Sequence, residues 1–257
     1  MLGAIAGDVI GSVFEGKNYK AKDFQLFAAR SRFTDDTVLT VATADALLNQ
    51  ADYAHQYKAY YHRYPRAGFG KGFMIWAMLD RPKPYNSWGN GSAMRVSPIG
   101  YAFNDLDTVL QVAKQSAEVT HNHPEGVKGA QATAAAIFLA RTGKSKQDIK
   151  LYIESTFDYD LNRTLDGIRP TYRFDVSCQG SVPPAIIAFL ESTDFEDTIR
   201  NAISIGGDSD TIACIAGGIA QAFYGGVPEH ISQEVLKRLD QPLRQVTESF
   251  MAQYCSN

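Results

Sequence analysis

Apolar residues recur along this chain with the period of an α-helix far more often than with that of a strand. Ile5, Val9 and Val13 fall at i, i+4 and i+8, with Gly3, Gly7 and Gly11 on a neighbouring stripe. Glycines at that spacing weaken a helix but let a second helix approach its backbone closely. The segment 1–14 therefore reads as a core helix, closed by Glu15 and Gly16. Val38, Val41, Ala42, Ala46 and Leu48 carry a second helix, and Val109, Val112 and Ala113 suggest another. The Ala-rich run 128–141 follows, then 186–190, 199–203 and the Ala/Gly/Ile-rich 211–224, with an amphipathic pair over 231–239 and 243–254. Strand signals are few: only 171–176 (TYRFDV) alternates, as a short strand or an extended loop. Long loops are expected at Pro82–Gly89 and over 158–179. With no Ser/Pro/Gly-rich linker and no tandem repeat, the expectation is an all-α, compact, single-domain multi-helix fold over 1–257.

Composition changes this picture by exclusion. A net charge of −3 argues against a protein-wide nucleic-acid-binding or membrane-binding surface. No apolar run approaches the length of a membrane span. The apolar start lacks a basic region and carries Asp8 where a leader would be uninterrupted, which favours a core helix. Cys178, Cys214 and Cys255 are odd in number and widely spaced, so neither a disulfide framework nor a zinc knuckle is expected, and a reducing cytoplasm fits.

The chemistry concentrates in two acidic clusters, Thr34-Asp35-Asp36-Thr37 and Asp208-Ser209-Asp210-Thr211, each opening a stretch of small apolar residues. Alone, each reads as a helix start, since Thr and Asp cap N-termini and the helix dipole favours acids in the first turn. A cap needs one side-chain oxygen, however, not three. Four carboxylates plus hydroxyls form the all-oxygen set that Mg²⁺ or Mn²⁺ prefers, and they would repel one another without a cation between them. The second cluster follows Gly206-Gly207, which allows close backbone approach by a ligand. The two clusters are therefore read as halves of one metal site.

Other segments carry weaker signals. Gly89-Asn90-Gly91-Ser92-Ala93-Met94-Arg95 looks like a small-residue loop entering a helix, whose free N–H groups suit phosphate, although Asn-Gly also marks an ordinary turn. In Thr120-His121-Asn122-His123-Pro124, two His at i, i+2 can bind a metal, yet no Cys or third His lies close in sequence. A loop with one hydrogen-bonded and one exposed His is an equal reading. His55, His62 and His230 read as surface or structural residues. Glu15 stands at the end of its helix, where the dipole disfavours an anion, a hint of function. Gly143-Lys144-Ser145 only mimics the end of a P-loop, because Phe138 stands where the upstream glycine is required. The glycines of the first segment likewise lack dinucleotide-binding spacing.

Taken together, Gly7-Asp8 with Ile10, Gly11 and Glu15, then Phe33-Thr34-Asp35-Asp36-Thr37, resemble the start of the ADP-ribosylglycohydrolase family. The Gly89–Arg95 segment, Thr120-His121, and Gly206-Gly207-Asp208-Ser209-Asp210-Thr211 with Ala216-Gly217-Gly218 follow in that family's order. The resemblance implies a compact all-α hydrolase of the glycosidic bond between ADP-ribose and an acceptor on a protein or small molecule. It implies two Mg²⁺ (or Mn²⁺) held by Thr34, Asp35, Asp36, Asp208, Asp210 and Thr211. ADP-ribose would lie over the metals, with its diphosphate at Gly89, Asn90, Gly91 and Ser92 beside Met94, His121 in the ribose or phosphate pocket, and Gly206-Gly207 nearby. Asp208 is expected as the acid/base, and Glu15, on a mobile loop, as the residue that positions or protonates substrate. The segments 16–31, 60–71 and 158–179 match nothing recognisable, so the acceptor (arginine, serine, small molecule or nucleobase) stays open. A di-metal hydrolase of another nucleotide-like substrate and a non-catalytic ADP-ribose-binding relative are the alternatives. A monomer is expected.

Overall fold

Fifteen helices make up the regular structure of residues 1–255, which are the residues described by the structure, a computed structural model. They are α1 (Leu2–Gly11), α2 (Asp35–Asn49), α3 (Tyr53–Arg63), α4 (Lys71–Met78), the single turn α5 (Gly91–Met94) and α6 (Ser97–Ala102). There follow α7 (Leu106–Glu118), α8 (Pro124–Arg141), α9 (Lys146–Phe157), the single turn α10 (Leu165–Ile168) and α11 (Cys178–Leu190). The chain closes with α12 (Phe195–Ile203), α13 (Ser209–Tyr224), α14 (Glu229–Arg238) and α15 (Gln241–Tyr254). Among the described residues there is no sheet, only an isolated bridge between Gly89 and Ser177, and no helix is long and apolar enough to cross a membrane.

The glycine stripe of α1 decides how the two ends of the chain meet. A Cβ at Gly3 would stand 2.3 Å from the Gly217 carbonyl oxygen, one at Gly7 2.0 Å from that of Ala213, and one at Gly11 2.5 Å from Asp210 Cα. Backbone thus lies against backbone along α1 and α13, a separation that only glycine allows. Met1 and Gly3 fasten the pair further by donating to Gln221 Oε1, at 3.0 and 2.7 Å. All ten residues of α1 are buried, Asp8 among them, as is α13 from Ser209 to Gln221. The close approach sets the α1 carboxylate beside the first turn of α13.

One expectation needs correction, and one open alternative is decided for the extended loop. α1 stops at Gly11 rather than running to Glu15. There the Phe14 ring leaves the helical path to join Tyr19 and Phe24, with centroids 5.0 and 4.8 Å away, and Gly16 takes a left-handed φ of +68°. The alternating 171–176 stretch is not a strand; beyond the bridge at Ser177 it has no sheet partner. Its apolar positions do not share one environment: Tyr172 is half-buried, its hydroxyl donating to the Gly180 carbonyl at 2.8 Å, while Phe174 and Val176 are exposed. The three cysteines are free. Ser145, discounted as a P-loop remnant, caps α9 in a capping box with Asp148.

Candidate active site: an acidic cleft

The first cluster is organised from beneath by Asp8. Its carboxylate accepts from the Thr34 N–H (2.9 Å), the Thr34 hydroxyl (2.6 Å), the Thr37 N–H (3.1 Å) and the Thr37 hydroxyl. Those four donors fix the entry and first turn of α2, where Thr34 also caps the helix by accepting from the Asp36 N–H at 3.3 Å. With its oxygens so engaged, Asp8 holds the cluster in shape, while Asp35 and Asp36 are left to project from the turn. Sequence reasoning counted Asp8 against a leader peptide and within the Gly7-Asp8 motif of the resemblance, but gave it no place in the site. A carboxylate in the middle of an otherwise apolar helix was the available signal.

The second cluster is built differently. Asp208 occupies the N-cap position of α13, but its carboxylate makes no capping bond. It accepts instead from Asn90 Nδ2 at 2.7 Å, and the same amide donates to Ser181 Oγ at 2.9 Å. Asn90 therefore ties the 89–92 turn to the acidic cluster. The Thr211 hydroxyl donates to Asp36 Oδ2 at 3.2 Å and joins the two helix starts. One carboxylate oxygen from each of Asp8, Asp36 and Asp210 lies within 4.8 Å of the other two, and the same holds for Glu15, Asp208 and Asp210. Glu15 itself is exposed, and its loop is held to the cluster by the Gly16 N–H donating to the Gly207 carbonyl at 3.0 Å.

Burial and mutual repulsion dominate the electrostatics. Asp36 and Asp210 are pushed well above the usual carboxylate range, first by burial and then by neighbouring aspartates. Asp35 is pushed up to about 8 by burial and the charge of Asp8. Asp208 and Glu15 are raised too, each mainly by burial. No lysine or arginine forms an ion pair with any of these acids among the described residues. Asp36 Oδ1 is buried with no hydrogen-bond partner. A buried acceptor without a donor is costly unless something else satisfies it, and oxygen-only donors packed this closely suit a hard divalent cation. The residues present fit such an ion.

Above this floor opens a cleft of about 470 Å³. Thr34, Asp35, Asp36, Asp208, Asp210, Thr211 and Glu15 line one part, and Gly89, Asn90, Gly91, Met94 and His121 another. His121 is buried, its Nδ1 bonded to Thr120 Oγ1 at 2.7 Å, and its Nε2 points at the turn, 3.1 Å from where a Gly91 Cβ would stand. His123, by contrast, caps α8 by accepting from the Glu125 N–H at 3.1 Å. Ser92 and the Gly206-Gly207 pair do not line the cleft. The Ser92 hydroxyl donates to the Gly126 carbonyl at 2.6 Å. Gly206 and Gly207, with φ of +77° and +72°, are approached closely by Asn18 and Tyr172 of the protein itself. Two stretches unplaced by sequence reasoning supply the remaining walls: Ala67, Gly68, Gly70, Gly72 and Phe73 on one side, Phe174 and Val176 on another.

The family model described as ADP-ribosylglycohydrolase matches residues 1–256. The chain belongs to the ADP-ribosylglycohydrolase family. It is a glycohydrolase enzyme, as the order of its acidic clusters and the intervening turn implied. It is similar to the human ADP-ribosylhydrolase ARH3, with 29% identity over 91% of this chain and 87% of the relative. The Pseudomonas putida (strain GB-1) ADP-ribosylarginine hydrolase Tri1 is 25% identical over 91% of this chain and 72% of its own. A solved structure titled ADP-ribosylglycohydrolase-related protein complex shares the fold, with a TM-score of 0.71 at 24% identity, covering 98% of this chain and 96% of that one.

Proposed function

We propose that this family member is a divalent-metal-dependent ADP-ribosyl hydrolase, cleaving the glycosidic bond between ADP-ribose and an acceptor on a protein or small molecule. The observation that carries this reading is the buried, partnerless Asp36 Oδ1 in a cluster of carboxylates that no lysine or arginine pairs with among the described residues, at the floor of the cleft. Thr34, Asp35, Asp36, Asp208, Asp210 and Thr211 are the residues that would hold two Mg²⁺ (or Mn²⁺), with Asp8 as the support beneath them. Such ions, when bound, supply a lowered water pKa and orientation of substrate oxygens.

The chain's own residues do the rest. Asp208, oriented by Asn90, is the acid/base beside the anomeric carbon, where carboxylates also stabilise developing oxocarbenium character. Glu15, on the exposed loop over the cluster, positions or protonates the substrate. The Gly89–Gly91 turn receives the diphosphate, with the Gly91 N–H as its backbone donor because those of Gly89 and Asn90 already donate to Ser87 Oγ and the Val176 carbonyl, and with Met94 and His121 forming the adjoining wall. Gly206 and Gly207 shape the backbone that brings Glu15 to Asp208. The whole chain acts as one catalytic domain, a reading supported by the extent of the family match and by one contiguous buried cluster reaching from Met1 to Phe250. A monomer in a reducing compartment is consistent with three free cysteines. The printed activities of the human and Pseudomonas relatives support the ADP-ribosyl group as substrate.

The test is turnover of ADP-ribosylated arginine peptide, ADP-ribosylated serine peptide and O-acetyl-ADP-ribose, each with Mg²⁺ or Mn²⁺ and with EDTA. Release of ADP-ribose from at least one, abolished by EDTA and restored by metal, is expected. Metal-independent release, or none from any of them, overturns the reading.

A further inference from the structure

Arg95 follows α5 and is fully buried, yet no carboxylate pairs with it among the described residues. Its guanidinium lies over the Tyr57 ring, 4.2 Å from the centroid. Nη2 donates to the Ser116 carbonyl at 2.7 Å and to Thr120 Oγ1 at 2.9 Å, while Nε and Nη1 have no partner. A buried arginine kept charged without a counter-ion is expensive, and this one is part of the cleft wall, beside Met94 and His121. Thr120, also fully buried, is 2.7 Å from His121 Nδ1.

Valence fixes the first link of this chain. A guanidinium has donors and no acceptor, so Thr120 Oγ1 must accept from Arg95. The hydroxyl's single hydrogen is then free for either His121 Nδ1 at 2.7 Å or the Ala117 carbonyl at 3.5 Å. The Thr120 oxygen has a second lone pair, but a donor N–H at Nδ1 would leave the hydroxyl hydrogen only the 3.5 Å contact to Ala117, so donation to Nδ1 is the arrangement that makes two good bonds. Nδ1 is then an acceptor, and the ring proton belongs on Nε2, the atom facing Gly89 and Gly91. Burial and the charge of Arg95 both keep the imidazole neutral, so a tautomer must be chosen.

We propose that Arg95 is a positioning residue: through the Thr120 hydroxyl it fixes His121 as the Nε2–H tautomer, giving the cleft a preset N–H donor for an anionic group of the substrate beside the Gly89–Gly91 turn. The identity of that group as the diphosphate of ADP-ribose rests on the function proposed above; the relay does not. The substrate's negative charge also gives Arg95 the counter-charge that the fold withholds.

The deciding measurement is the long-range ¹H–¹⁵N correlation of histidine side chains in the ligand-free protein, where His121 is one of five. A protonated Nε2 and a bare Nδ1 are expected. Thr120→Val, which removes the hydroxyl at constant shape, should give a mixture of tautomers and raise KM for ADP-ribosylated substrate about tenfold, the loss of roughly one hydrogen bond to a charged group. kcat should change by less than about threefold, and Thr120→Ser should restore both readouts. Arg95→Gln should mix the tautomers, whereas Arg95→Lys keeps a charged donor and should preserve Nε2–H. If the Arg95 variants do not fold, the Thr120 pair decides, since the hydroxyl carries the hydrogen-bonded link from Arg95 to the ring. A protonated Nδ1 in the native protein, or a Thr120→Val variant with native tautomer and KM, overturns the proposal. The tautomer is read without substrate, so a failed turnover panel would remove the ADP-ribose assignment without touching the relay.

Discussion

The two acidic helix starts look alike in sequence, Thr-Asp-Asp-Thr and Asp-Ser-Asp-Thr, but they are held in place by opposite means. The α2 start is fixed from inside: a buried carboxylate, Asp8, receives four donors from Thr34 and Thr37 and makes the turn part of the core. The α13 start is fixed from the cleft side, where Asn90 holds Asp208 across a wall that also meets substrate. One cluster is anchored by a fully buried carboxylate beneath it; the other is anchored by a residue that lines the cleft. Damage to the first should appear as lost stability, and damage to the second as altered catalysis.

The largest effect should come where the comparison collapses, at the carboxylate common to both oxygen groups. Asp210→Asn is expected to lower kcat/KM by at least ~10³-fold and to weaken Mg²⁺ binding, with the helical circular dichroism spectrum unchanged; near-native turnover would remove Asp210 from the site. Asp8→Ala should act on the fold. It strands two N–H groups and two hydroxyls, so a loss of at least about 3 kcal/mol in urea unfolding is expected, and an equally stable variant would show that the α2 turn does not depend on it. Asn90→Ala should do the reverse, lowering kcat by about 10–100-fold while costing only about 1 kcal/mol of stability. A purely destabilised Asn90→Ala enzyme with native kcat would erase the contrast.

The smallest effect is in the pH dependence of the metal-free protein. Asp35, at about 8, and Asp36, Asp208 and Asp210, also raised, have folded-state pKa values above those of an unfolded chain. Their contribution to stability is complete below the unfolded value near 4 and is lost as pH rises towards 8. Thermal melts in EDTA should therefore show Tm falling from pH 5 to pH 8.5. Mg²⁺ should flatten that slope, because a cation bound only by the native state stabilises it most where the carboxylates are ionised. A Tm in EDTA that rises across the same range would contradict the shifts.

Much of this was legible in the sequence. Gly3, Gly7 and Gly11 announced a close helix contact, α2 and α13 followed from apolar residues after an acidic start, and most of α8 followed from its Ala-rich run. The partner of the glycine stripe was not legible, because spacing says that a helix can approach and not which one. α3 escaped notice because its buried face is made of Tyr57, Tyr60 and Tyr61, set among charged residues that mask the period. α9 was obscured by the resemblance of its Gly-Lys-Ser start to a nucleotide loop, although the Ser145–Asp148 spacing of a capping box was there to be read. Around the site, the residue types most tied to chemistry were found directly. Asp8, Arg95 and the 67–73 wall act through burial, through a neighbour or through shape, and a linear pattern carries little trace of those.

The backbone contact between α1 and α13 also bears on the life of the chain before it is folded. Gly3 and its hydrogen-bond partner Gln221 are separated by 218 positions, and the oxygens of Asp36 and Asp210 meet only after that gap has closed. Contacts of such long sequence range form late and carry a large loop-closure cost. During synthesis the first acidic turn therefore leaves the ribosome long before the second exists, and no nascent or truncated chain holds a complete carboxylate cluster. The complete carboxylate cluster and the completed core arrive in the same folding event.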